Sequence, residues 1–298
     1  MNVSPFDPSF SDVRPRLIRL AYRMLGSVAD AEDVVQEAYL RWLATDRDSV
    51  RQPAALLRTI VTRLCLNELK SARRRRETYI GPWLPEPIVE ADETDPIDDI
   101  TLPLMMMLER LSPLERAAFL LHDVFGIGFD DIAETLGRDA AACRKLASRA
   151  RDHIRAGRPR FPVPRERGLA IAAAFFAASR KGDLNGLRAL LKEEVRACTD
   201  GGGRVQASLF PLIGAAAVMA RHAQLAREFA RNPSTLIRYA MIDGLPGFIT
   251  VEGGGIVQTT ALQLEHDKVA AIFITRNPDK LQHLGRELER RPHDAPNT

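Results

Sequence analysis

The sequence predicts a multidomain protein, with two all-α domains followed by one α+β domain. Three observations carry that expectation. Helical spacing of apolar residues runs through 13–76 and again through 103–156. Two proline-rich stretches interrupt the chain at about 81–102 and 158–165. From Glu166 onward helical runs give way to β-rich ones. A chain of 298 residues exceeds the usual single-domain range, and its hydrophobic content of 45% can build more than one core. The expected division is 1–80, linker 81–102, 103–157, linker 158–165, 166–290 and a tail 291–298.

In the first domain Val13, Leu17, Leu20, Ala21, Met24 and Leu25 recur at helical spacing, and Gly26 follows as a stop. Asp30 reads as the N-cap of the next helix, with Asp33 three residues on, and that helix buries Val34, Val35, Ala38 and Trp42. Pro53 suits the first turn of a third helix reaching about Arg76. The stretch Gly81 to Asp99 then holds seven acidic residues, four prolines and no base, the composition of a linker.

In the second domain Ser112 is read as an N-cap with Pro113 at the first helical position and Glu115 at the third. The third domain begins with two helices, at about 166–180 and 183–192, followed by a short strand ending at Asp200. A longer helix at about 212–230 comes next. Three β-rich runs then appear, at 235–243, 247–252 and 257–275, the last holding two strands. This order predicts an α+β domain with an antiparallel sheet.

Charge patterning supplies the functional signal. Phe129 to Leu136 is a short helix closed by Gly137, and a basic helix starts at about Ala140, the layout of a helix-turn-helix. Cys143, Leu146, Ala147, Ala150 and Ile154 form the inward stripe of the basic helix. Arg144, Lys145, Ser148 and Arg149 fall outside it, where arginine can read guanine and other bases can neutralise phosphate. Alone, such a helix equally describes a solvated face in an ordinary bundle. Upstream, Arg63, Asn67, Lys70 and Arg74 share one face of the third helix, which ends in Arg73-Arg74-Arg75-Arg76. Glu32, Asp33, Gln36 and Glu37 give the preceding helix an acidic face, suited to a basic protein partner.

With these motifs in view, the chain resembles the extracytoplasmic-function (ECF) sigma factors. AYRMLGSVADAEDVVQEAYLRW (21–42) looks like the polymerase-binding helix pair of region 2, and 111–154 looks like the −35-reading module of region 4. The resemblance implies two all-α sigma domains, a region 2 helical bundle and a region 4 helix-turn-helix. It implies that Glu32, Asp33, Gln36 and Glu37 meet the clamp coiled coil of the largest subunit of core RNA polymerase. It further implies that Arg63, Asn67, Lys70, Arg73 and Arg74 lie at the −10 element, with loop 44–52 holding a flipped base. Arg144, Lys145, Ser148 and Arg149 would face the −35 element.

Trp83-Leu84-Pro85-Glu86-Pro87, Asp200-Gly201-Gly202-Gly203 and Asn277-Pro278-Asp279-Lys280-Leu281 resemble the signature of the subgroup with a SnoaL-like extension, an α+β cone that acts on the sigma domains in cis. Physically, an indole among prolines suits docking into a groove. The glycines suit a sharp strand exit at positive φ. Asn277-Pro278 suits a turn before a helix, with Leu281 as an anchor.

Several classes are disfavoured. Cys65, Cys143 and Cys198 lie far apart with no metal-ligand spacing, so neither a disulfide framework nor a metal site is expected. MNVSPFDPSF has no basic or apolar region of a secretion signal, and no apolar run reaches the roughly 20 residues of a membrane span. A cytoplasmic protein with no membrane partner is expected. His222, between Val218 and Leu225, reads as an interior histidine with no second titratable group at an acid/base spacing. No catalytic residue, cofactor or enzyme activity is therefore expected, although a small-molecule ligand of the C-terminal domain remains open. The rival readings are a cyclase- or isomerase-like enzyme fused to DNA-binding domains, and a repressor.

Overall fold

The computed structural model describes residues 8–46, 49–90, 101–155 and 163–290, without the side chains at 8–9, 71–77, 155 and 286–290. The chain divides into two compact units. One holds residues up to Thr78 together with Leu104–Arg158, and the other holds Tyr79–Pro103 together with the chain from Pro159. Tyr79 to Glu90 thus belongs with the C-terminal domain, as an ordered segment where a flexible linker was expected. Residues 91–100, the most acidic part of that linker, lie outside the described residues.

The first unit is helical. Helices α1 (Pro8–Leu25), α2 (Val28–Leu43) and α3 (Pro53–Glu77) pack on one another. Leu20, Met24, Val35, Trp42, Leu57 and Val61 are all at most 2% exposed among them. Gly26 closes α1 at φ +72°, donating its N–H to the Tyr22 carbonyl. The cap of α2 differs from expectation. Ser27, not Asp30, is the N-cap, and its hydroxyl accepts the Asp30 N–H at 3.1 Å. Asp30 instead contributes negative charge to the first turn, where the helix dipole favours it.

Next come α4 (Leu102–Leu108) and α5 (Pro113–Phe119), the latter opened by the expected capping box of Ser112 and Glu115. A single π-helical turn, Leu120–Val124, leads out of α5. Then α6 (Phe129–Leu136) and α7 (Ala140–Arg155) form the helix-turn-helix. Gly137 ends α6 at φ +62°, and Asp139 starts α7 by accepting the Ala142 N–H at 2.6 Å.

The second unit contains α8 (Arg165–Lys181), α9 (Leu184–Leu190), β1 (Leu191–Asp200), β2 (Leu212–Ile213), α10 (Ala215–Arg231), β3 (Thr235–Ile242), β4 (Leu245–Glu252), β5 (Ile256–Glu265), β6 (Lys268–Thr275) and α11 (Pro278–Arg290). The sheet runs β2-β1-β6-β5-β4-β3. It is mixed rather than antiparallel, because β1 pairs β6 in parallel. Their hydrophobic patterns cannot distinguish the two directions; the chain reaches β6 only after β3, β4 and β5 have folded back in hairpins. The strand ending at Asp200 is also longer than expected, at ten residues. The helix expected from 212 starts at Ala215, after β2. Helices α8 and α10 cover one side of the sheet over Phe175, Leu187, Val195, Val218, Phe248, Leu262 and Ile272. The result is an α+β half-cone.

Candidate functional site

The exposed helix faces of the first unit match the charge pattern. Glu32, Asp33, Gln36 and Glu37 stand outward on α2, opposite the buried Ala31, Val35, Ala38 and Trp42. Glu37 is held by Arg41 one turn on, at 2.9 Å, in an exposed pair that orients more than it stabilises. On α7, Arg144, Lys145, Ser148 and Arg149 are exposed, while Cys143, Ala147, Ala150 and Ile154 are buried. Arg144 also lies 5.8 Å from the Phe129 ring centroid, which steadies it near the start of α7.

On α3, Arg63, Asn67 and Lys70 are exposed. The helix continues past Arg73 and Arg74, whose side chains lie outside the described residues, as do two residues of the loop 44–52. Arg63 carries a contact the sequence did not reveal. Its Nε donates to the Thr135 carbonyl at 3.0 Å and its Nη2 to the Glu134 carbonyl at 2.9 Å, at the C-terminus of α6. Unpaired carbonyls and the dipole make that terminus a cation site. Thr59 and Thr135 hydroxyls lie 3.1 Å apart beside it. Deeper, Arg116 is 2% exposed, donating to the Met24 carbonyl at 2.5 Å and pairing with Glu109 at 2.7 Å. Burial pulls its pKa down to about 10, still charged at neutral pH. Arg23 faces the Phe125 ring at 5.4 Å. Three arginines therefore join the first helix bundle to the helix-turn-helix.

In the second unit the three signature segments meet at one carboxylate. Asp200, 0% exposed at the end of β1, accepts from the Tyr79 hydroxyl at 2.5 Å, the Leu84 N–H at 2.8 Å, the Gly202 N–H at 3.1 Å and the Lys280 ammonium at 2.8 Å. Lys280 also donates to the Leu84 carbonyl and lies 4.2 Å from the Trp83 ring centroid and 5.0 Å from that of Tyr79. Asn277 donates to the Tyr79 hydroxyl at 2.9 Å. Burial, then the hydrogen bond to Asp200, push the Tyr79 phenol well above its ordinary pKa, so it stays a donor.

The glycines have a steric reason as well as a conformational one. Gly202 sits at φ +59°, and a Cβ there would fall 2.2 Å from Asn277 Nδ2. Leu84 is 0% exposed, Pro85 and Pro87 are buried, and Leu281 is 3% exposed in the same region. Pro278 and Asp279 remain exposed, and Asp279 pairs with Arg204 at 3.1 Å.

Beyond Pro87, whose carbonyl meets His283 Nε2 at 2.9 Å, the segment adds itself to the sheet edge. Val89 bridges Ile242 in β3 antiparallel, Glu90 N–H donates to the Met241 carbonyl, and Ile88 accepts from Asp243 N–H. This is strand addition on an otherwise open edge. Tyr79 and the bridge at Val89 were not singled out from sequence. An isolated Tyr beside an arginine run and an Ile-Val pair in an acidic tract carry no periodic signal.

Comparison with known proteins follows the same division. Residues 10–75 match Sigma-70 region 2, and residues 101–154 match Sigma-70, region 4. The ECF RNA polymerase sigma factor SigJ of Mycobacterium tuberculosis is 37% identical over 300 residues, covering 94% of this chain and 93% of SigJ. This chain belongs to the ECF RNA polymerase sigma factors. The probable ECF RNA polymerase sigma factor SigI of M. tuberculosis is 32% identical, covering 95% of this chain and 97% of its own length. The crystal structure of SigJ superposes with a TM-score of 0.74 at 34% identity, covering 92% of this chain and 97% of SigJ. In this sigma factor, therefore, α1–α3 are region 2, α4–α7 are region 4, and the half-cone is the C-terminal extension. No helix among the described residues is long and apolar enough to cross a membrane.

Proposed function

We propose that this sigma factor recruits core polymerase through Glu32, Asp33, Gln36 and Glu37 on the clamp coiled coil. In that reading Arg63, Asn67, Lys70, Arg73 and Arg74 engage the −10 element, and Arg144, Lys145, Ser148 and Arg149 read the −35 element. The SnoaL-like domain governs these steps in cis from the cytoplasm, by holding the linker that connects regions 2 and 4.

The observation that carries the regulatory part is the Asp200 carboxylate, which takes hydrogen bonds from Tyr79 and Leu84 of the linker while paired to Lys280. Buried charge of this kind is expensive to leave unpaired, so linker and domain are committed to one geometry. The engagement of Arg63 by Thr135 and Glu134 supports a resting state in which regions 2 and 4 are held together. The two promoter elements are about 25 base pairs apart, or about 85 Å at ~3.4 Å per step. Regions in mutual contact cannot read both elements, so initiation requires them to separate.

We read the extension as a regulator without chemistry of its own. Its interior carboxylate Glu252 is occupied by Arg180 at 2.6 Å, Thr250 at 2.7 Å and Ser234 at 2.5 Å, which leaves it poorly suited to act as a base.

Run-off transcription with purified core polymerase tests the whole reading, on a promoter selected with a chain ending near Gly157. Core-dependent initiation that fails for Asp33→Lys/Glu37→Lys supports the polymerase surface. A different activity for the full chain and the shortened chain supports regulation by the extension. Equal activities would remove the regulatory role.

A further inference from the structure

Between the sheet and α10 the C-terminal domain holds a cavity of about 400 Å³ that opens to solvent beside Gln206, Glu228 and Asn232. That is within the range of small-molecule sites, and its lining is mixed. Phe175, Val218, Phe248 and Ile272 supply apolar surface, and Arg276, Arg221, His222, Gln258 and Thr260 supply polar groups among them, with His222 edge-on to Phe175 at 5.6 Å. Glu252 is already neutralised by Arg180, which itself sits 4.1 Å from the Phe229 ring centroid. Glu228, the other carboxylate of the lining, is exposed to solvent. Three guanidinium groups thus face two carboxylates, and the lining carries one excess positive charge.

Three buried polar atoms of the lining residues lack partners. Arg276 Nε and His222 Nδ1 are buried with no hydrogen bond, as is Arg180 Nε. A buried donor left unmet costs free energy that a bound acceptor recovers. Burial, then the nearby Arg180 and Arg221, hold the His222 ring neutral, with its pKa pulled down to about 4, so it demands no counter-ion of its own.

We propose that this cavity is a receptor site for a small amphipathic carboxylate of about a dozen non-hydrogen atoms in all, taking a water's ~30 Å³ as the scale, with one anionic head held by Arg276 and Arg221. A neutral ligand would leave the guanidinium unmet, and a dianion would exceed the excess charge. The site also borders the linker dock. The Arg276 N–H donates to the Asp200 carbonyl at 2.9 Å, and Asn277, the Tyr79 partner, is the next residue. Ser208 lines the cavity, while its carbonyl lies under Gly81 of the linker. A head group that draws Arg276 inward therefore pulls on the residues that grip Tyr79. This consequence rests on the regulatory reading above, whereas binding itself does not.

The test is calorimetry on the full chain with three molecules of one shape, 4-phenylbutyrate, 4-phenylbutanol and 4-phenylbutylamine, followed by run-off transcription with each. Saturable binding is expected for the carboxylate alone. Arg276→Gln should weaken it at least about tenfold, the worth of a charge-assisted hydrogen bond. Leu225→Trp, which fills the cavity without changing charge, should abolish it. Arg227→Gln, exposed on the same helix and outside the lining, should leave it unchanged, with thermal unfolding confirming that each variant is folded. Equal binding of the alcohol, or no saturable binding of the carboxylate at millimolar concentration, overturns the proposal and leaves the comparison of full and shortened chains standing. Carboxylate binding with no change in transcription upholds the site and overturns its coupling to the linker.

Discussion

Removing one oxygen from Tyr79 tests the linker dock without touching the domain that receives it. Tyr79→Phe deletes the hydroxyl that donates to Asp200 at 2.5 Å and accepts from Asn277 at 2.9 Å. A hydrogen bond to a charged acceptor contributes about 1.5–3 kcal/mol. Part of that is offset, because the Gly202 N–H donates to the same carboxylate oxygen at 3.1 Å. A net loss of about 2 kcal/mol is expected, which corresponds to a roughly 30-fold increase in the opening of residues 79–90. Amide hydrogen exchange at Leu84 reads this directly, since its N–H donates to the other oxygen of Asp200 at 2.8 Å. Asp200→Asn should cost more, about 3–5 kcal/mol, because it strips Lys280 of its counter-charge inside the domain. The two changes together should fall short of the sum, because each weakens the same contact between Tyr79 and residue 200. Leu84 exchange within about threefold of the wild type in Tyr79→Phe, with global stability unchanged, would refute the dock.

The other predictions concern the sigma regions and the cone. Arg149→Ala should lower −35-dependent initiation about 10- to 100-fold if it contacts a base, and a titration against salt separates that from a phosphate contact. Arg63→Ala should raise apparent affinity for core polymerase, by freeing region 2 from α6, yet lower initiation at the −10 step; binding and run-off assays read the two effects apart. Arg116→Ala takes the buried guanidinium away from the Glu109 carboxylate and the Met24 carbonyl and should cost about 3–5 kcal/mol in denaturant unfolding. His222 titrates near 4 when folded, against 6.5 ordinarily, so between those values the unfolded chain binds the extra proton. Its contribution to stability is flat above pH 6.5 and falls by at most ~1.4 kcal/mol per unit below it. Subtracting the pH profile of His222→Gln isolates that slope, and a flat difference would contradict the burial.

Much of this architecture could be read from sequence because its signals are local. Ser112 and Glu115 cap α5 through residues three apart, and the buried stripe of α7 follows from spacing alone. The acidic face of α2 and the basic face of α7 are exposed as their patterns required. What escaped detection depends on pairing at long range. The parallel register of β1 on β6 joins residues some 75 positions apart, as in Asp200 opposite Thr275. Asp200 was noted for the glycines after it, yet its carboxylate does the binding, through partners at Tyr79 and Lys280. Ser27 and Asp30 are both cap-forming residue types at the start of α2, and only the folded backbone, extended at Ser27, decides between them.

Magnitudes also decide which contact yields first when the sigma factor is put to use. Arg63 lies at an exposed edge, and its two bonds to carbonyls contribute about 1–3 kcal/mol together. Arg116 adds about 1.5–3 kcal/mol through the Met24 carbonyl, so parting region 2 from region 4 costs about 3–6 kcal/mol before apolar contacts are counted. A nanomolar complex with polymerase releases about 12 kcal/mol, enough to draw the regions apart while forfeiting part of the affinity. The linker dock is of another order. The bonds of Tyr79 and Leu84 to Asp200, those of Asn277, Lys280 and His283 to the segment, and the Val89 strand bridge must all break for Tyr79 to Val89 to leave the cone, and the buried Lys280–Asp200 pair then loses its cover. In the proposed reading, polymerase binding alone opens the sigma regions and leaves the linker on the cone. Freeing the linker needs a second contribution, and an acceptor drawing on Arg276 from inside the domain would act one residue from the Asn277 grip on Tyr79.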